Sequence, residues 1–115
     1  MYAHKVDSST SNIPTSYDES TGSLMFTAAS TGQLEVINRT ESVLAMTFVP
    51  AENTATPVSS ITSNRHQAYI PPAPSSTSSA GWVKDFLKMK QGDRVYLRSD
   101  TGSAVTSGIV YFNTW

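Results

Sequence analysis

Apolar residues in this chain come in short runs separated by polar stretches, and their spacing predicts strands. Residues 24–28 form one run, and a turn at Ser30, Thr31 and Gly32 follows it. Residues 33–38 then alternate, with Leu34 and Val36 on one face and Gln33, Glu35 and Ile37 on the other, as in a half-buried strand. After a polar break at 39–42, residues 43–49 are almost all apolar, which predicts a strand buried on both faces. Pro50 ends it, because proline has no N–H to give a ladder. A polar loop is expected over 51–65, with a short strand near 60–62. A strand at 67–70 stops at Pro71 and Pro72, and a Ser- and Pro-rich surface loop follows.

Residues 82–90 leave two readings open. Trp82, Val83, Phe86 and Leu87 have helical spacing, yet the run ends in Gln91, Gly92 and Asp93, a turn signal that commonly enters a hairpin. The last third predicts a strand at 94–98, a tight turn at 99–103 and a long strand from 104 to 115, read as a hairpin whose last strand lies inside a sheet. Six or seven strands predict an all-β chain folded as a single jelly-roll or β-sandwich domain over 23–115. Residues 1–22 are polar, follow neither period and hold only scattered apolar residues. They are expected to form an extended N-terminal arm.

Composition narrows the chemistry. Eighteen Ser and 14 Thr among 115 residues fit short strands with polar loops. The net charge is −1 and the eight Lys and Arg form no basic stripe, which argues against nucleic-acid binding. The absence of cysteine excludes disulfides and thiolate metal sites. The chain shows no signal segment and no run near the ~20 apolar residues of a membrane helix. Synthesis in a cytoplasm without a signal peptide is expected.

No catalytic set stands out. His4 and His66 have no second metal-ligating residue beside them. Asp18 and Glu19 are adjacent and would diverge in an extended chain, whereas Asp93 and Asp100 occupy turn positions where aspartate bonds the backbone. The segment Asp100-Thr101-Gly102-Ser103 offers one carboxylate, too few for calcium. No Gly-x-Ser-x-Gly elbow and no phosphate-cradling glycine loop occur. The expectation is a non-enzyme without cofactor or metal. Trp82 and Trp115 are the aromatic residues hardest to place. They are read as core or interface residues in preference to sugar platforms.

The stretch from Leu87 to Leu97, with Gly92-Asp93 opening a strand, followed by Ser107-Gly108-Ile109-Val110-Tyr111-Phe112, is similar to the end of the C1q/TNF-like jelly roll. The whole chain resembles the small virion proteins of tailed bacteriophages, of the head-decoration (cement) and head-fibre type. That resemblance implies a jelly-roll or sandwich domain, often a homotrimer, seated on the capsid and clamping neighbouring subunits. Its partner would be the major capsid protein or another virion protein, with no nucleic acid and no membrane. An arm of 22 extended residues reaches about 70 Å, and Tyr2, Ile13 and Tyr17 are its candidate contacts. Trp82 and Trp115 are further interface candidates. The alternative is a receptor- or glycan-binding tip module of a tail or fibre, using Trp82 and the loops at 51–65 and 72–80.

Overall fold

A computed structural model describes residues 2–9, 11–17, 24–52, 67–73 and 81–115, with the backbone alone at 67 and 82–87. It contains eight strands: β1 (Tyr2–Val6), β2 (Leu24–Thr27), β3 (Gly32–Arg39), β4 (Leu44–Val49), β5 (Gln67–Ile70), β6 (Trp82–Met89), β7 (Arg94–Ser99) and β8 (Gly108–Thr114). No helix occurs among the described residues, so the all-β expectation holds.

The strands form two four-stranded sheets, ordered β1-β8-β3-β6 and β2-β7-β4-β5, and every recorded pairing is antiparallel. Each strand pairs with its mirror in chain order: β1 with β8, β2 with β7, β3 with β6 and β4 with β5. This is one long hairpin, bent at its β4–β5 tip and wrapped into two layers, the connectivity of a jelly roll.

Alternation explains the layering. Leu34 and Val36 of β3, and Val110 and Phe112 of β8, face inward from the first sheet. Leu44 and Met46 of β4, and Val95 and Leu97 of β7, meet them from the second. Phe26 stacks on Phe112 across the core at 4.8 Å and 7°, and Tyr2 lies against the other side of Phe112 at 6.0 Å. Such ring pairs add about 0.5–1.5 kcal/mol beyond their buried area. The run at 43–49 behaves as its pattern predicts: β4 is buried on both faces except at partly exposed Phe48.

Three readings change: two expectations are corrected and one open choice is resolved. The first is the C-terminal hairpin. β7 and β8 lie in different sheets, and the chain between them crosses the end of the sandwich. The crossing is held by local bonds. The Ser99 hydroxyl donates to the Ser103 carbonyl (2.6 Å), and Thr101 Oγ1 donates to the same acceptor (3.1 Å). Gly108 starts β8 at φ +111°, where a Cβ would approach the Arg39 carbonyl oxygen to 2.9 Å. That position requires glycine.

The second is the open choice at 82–90, which resolves to a strand over Trp82–Met89. β6 pairs along β3, and Gly32 opposes Met89 while Leu34 opposes Phe86. Two steps on β3 therefore match three on β6. This bulge brings positions 86 and 89 into phase, whereas 82–86 pair in unbroken register, so the helical spacing of 82, 83, 86 and 87 arises from apolar neighbours within a regular strand.

The third concerns the arm. Residues 2–9 and 11–17 are joined to the sandwich and do not form a free extended arm. β1 pairs with β8 from Tyr2↔Phe112 to Val6↔Gly108. The Asp7 carboxylate accepts bonds from the backbone N–H of Ser9 (2.9 Å) and Ser11 (3.0 Å), which turns the chain back. Ile13 then enters the core fully buried and exchanges two backbone bonds with Val105, of 3.0 and 2.9 Å. The expected strand at 60–62, and residues 18–22 of the expected arm, lie outside the described residues.

Candidate functional site: an open sheet face and a cleft

The middle of the outer face of β2-β7-β4-β5 is covered by the chain itself, while Met25 and Tyr69 on its edge strands stay about half exposed. The Pro14 carbonyl accepts a bond from Ser99 N–H (2.8 Å), which leads the following residues onto this face. There Tyr17, 3% exposed, packs with Ala45, Val49 and Tyr96 in a second apolar cluster. The Arg98 guanidinium lies over the Tyr17 ring at 5.3 Å and bonds Asp100 Oδ1 at 2.9 Å. Burial pushes the Tyr17 phenol up to about 12, against the opposing pull of Arg98.

The outer face of β1-β8-β3-β6 has no such cover among the described residues. Register places Ala3, Tyr111 and Ile37 in one row across β1, β8 and β3. The next row holds Lys5, Ile109 and Arg39, and on the other side Asn113 stands beside Glu35. Alternation turns all of these outward, and Ile37, Ile109 and Tyr111 are half-buried while Ala3 and Lys5 are exposed. Arg39 donates weakly to the Tyr111 hydroxyl (3.5 Å), and its guanidinium sits 5.9 Å from that ring. The face therefore carries an apolar middle with two cations at one end and a carboxylate at the other.

At one end of the sandwich lies a cleft of about 730 Å³, with Trp115, Gln33, Phe48, Glu52, Lys88 and Lys90 among its lining residues. Trp115 is 60% exposed, and its backbone is locked to Gln33 by reciprocal bonds of 2.9 and 3.2 Å. Asp93 also borders the cleft, but both of its oxygens are occupied. Oδ1 accepts from Ala51 N–H and Oδ2 from Lys90 N–H, each at 2.8 Å. Asp93 thus ties the two walls together as a structural residue. Gly92, at φ +90°, makes the turn that brings it there.

The candidate contacts are dispersed. Ile13 is core and Tyr17 covers a sheet, so neither is available to a partner. Tyr2 is half exposed at the end of the aromatic stack, and Trp115 projects into the cleft. Trp82 takes its place in β6, with its side chain outside the described residues, as are most of the two loops proposed with it. His4 donates to the Ser11 carbonyl (3.2 Å), while His66, Asp18 and Glu19 lie outside the described residues. No group of three or more metal-ligating side chains occurs among the described residues. No described helix is long and apolar enough to cross a membrane. The reading from sequence missed the open face and the cleft cations. The outward set of 33–38 was visible as alternation, but its union with β8 and β1 depends on long-range register.

No protein-family model matches the chain, and no curated protein or solved structure matches it.

Proposed function

We propose that this chain is a non-enzymatic structural protein of a phage virion, which decorates and stabilises the capsid and works as a homo-oligomer. The outer face of β1-β8-β3-β6, open among the described residues, carries this reading. Its half-buried apolar row, rimmed by polar groups, suits contact with protein, as apolar surface framed in this way does. Its charges suit a second copy: a reversed neighbour brings Lys5 and Arg39 toward Glu35. Charge complementarity of this kind fixes orientation more than it adds affinity. A small jelly roll supplies a rigid footprint, an architecture shared by viral capsid and lectin domains. Because residues 2–17 are part of the domain, its folded surface makes the contact in this reading, in place of a free arm of those residues. Repetition on a symmetric shell multiplies weak single contacts.

The test combines sedimentation with binding to heads assembled from the major capsid protein encoded alongside this chain. The expected outcome is an oligomer, with a trimer favoured by the virion resemblance, that co-sediments with heads at saturating stoichiometry. Ile37→Lys is expected to reduce it to a folded monomer of 12.4 kDa. A wild-type chain that stays monomeric at tens of micromolar and leaves the heads bare would refute the proposal.

A further inference from the structure

We infer that the cleft beside Trp115 is a saccharide site that takes a neutral pyranose ring. This inference does not rest on self-association through the open sheet face. The volume, about 730 Å³, lies inside the range of roughly 300–1,000 Å³ for small-molecule sites. The exposed Trp115 ring gives one apolar surface, on which the C–H face of a sugar can stack. Around it stand side chains with no hydrogen-bond partner among the described residues: Gln33, Glu52, Lys88 and Lys90. Gln33 offers both donors and an acceptor, Glu52 only acceptors, and the two ammonium groups only donors. A hydroxyl is donor and acceptor together, so a polyhydroxylated ring uses this mixture in full. A purely apolar ligand would desolvate four polar groups without return. Two carboxylates, Glu52 and Asp93, balance the two ammonium groups, so the lining favours a ligand of neither charge.

The site is also fixed in place. Reciprocal backbone bonds hold Trp115 to Gln33, and Asp93 binds the backbone of Ala51, next to Glu52, and of Lys90. Both walls are thus set before a ligand arrives, which lowers the ordering cost of binding. Asp93 is here a positioning residue.

The experiment uses the full chain on a printed panel of neutral hexose and N-acetylhexosamine oligosaccharides, with acidic oligosaccharides and short peptides alongside. The strongest neutral binder is then titrated by isothermal calorimetry. Saturable binding is expected, weakened at least tenfold by Trp115→Ala, partly restored by Trp115→Phe and reduced several-fold by Gln33→Ala. Ile37→Lys should leave it unchanged, which separates this site from the association face. Circular dichroism checks that each variant is folded, and the exposed Gln33→Ala serves should Trp115→Ala misfold. Failure of every neutral saccharide at millimolar concentration overturns the inference. So does binding only of acidic sugars or peptides, or undiminished affinity in folded Trp115→Ala or, should that variant misfold, in Gln33→Ala.

Discussion

The two sheets share one core, yet their outer faces differ. On β2-β7-β4-β5, Tyr17 lies over Ala45, Val49 and Tyr96, all fully buried. On β1-β8-β3-β6, Ile37, Ile109 and Tyr111 stay half open beside Lys5 and Arg39. A chain with 38% hydrophobic residues could have covered neither face or both. It covers the middle of one with a short polar segment held by single anchors, and leaves Met25 and Tyr69 exposed on that face's edge strands. The contrast teaches that apolar side chains on an outer face carry opposite meanings, depending on whether the protein's own backbone lies over them.

The largest expected effect is at the anchor that leads onto the covered face. Ile13→Ala removes a fully buried side chain at the Val105 bridge and is expected to cost about 2–5 kcal/mol, measured by urea unfolding. A value near zero would mean that residues 11–17 do not pack as described. Next comes a matched pair of tyrosines. Tyr17→Ala should cost about 3 kcal/mol, as aromatic truncations in packed sites do. Tyr111→Ala, on the open face, should cost about 1 kcal/mol or less in the monomer while weakening association. Equal costs would erase the distinction between the faces.

The smallest effect is a pH dependence. The Tyr17 phenol is raised from 10.0 to about 12 in the folded protein, so folding favours its neutral form. Its contribution is complete below pH 10 and is lost as pH rises through about 12. Alkaline unfolding of the wild type should therefore be steeper over that window than that of Tyr17→Phe. Identical profiles would place Tyr17 in solvent.

Much of the fold was legible because it depends on period alone. The alternation at 33–38 and the continuous run at 43–49 both became strands with the expected burial. Pairing was not legible. The turn at 99–103 looks local, but Val95 and Leu97 face Val110 and Phe112 across the core, and only the second sheet explains that. Apolar neighbours at 82–83 and 86–87 masked the alternation of β6, although 82–86 pair with β3 in unbroken register. Residues 2–17 defeated pattern reading because Val6, Ile13 and Tyr17 anchor singly, one to the first sheet, one to the core edge and one to the outer face. Of the cleft, Trp115 was singled out only as a core or interface residue, whereas Gln33, Glu52, Lys88 and Lys90 converge only after three distant segments meet.

The place of β8 between β1 and β3 has a kinetic consequence. Tyr2 opposes Phe112 across 110 positions of chain, and neither flanking strand gains its β8 partner until the eighth strand arrives. Such distant closure loses chain entropy before contacts repay it, so folding should take milliseconds to seconds and show one late cooperative step. Until then β3 presents an unpaired edge to other nascent chains, and crowded synthesis would favour mispairing at that strand above all others.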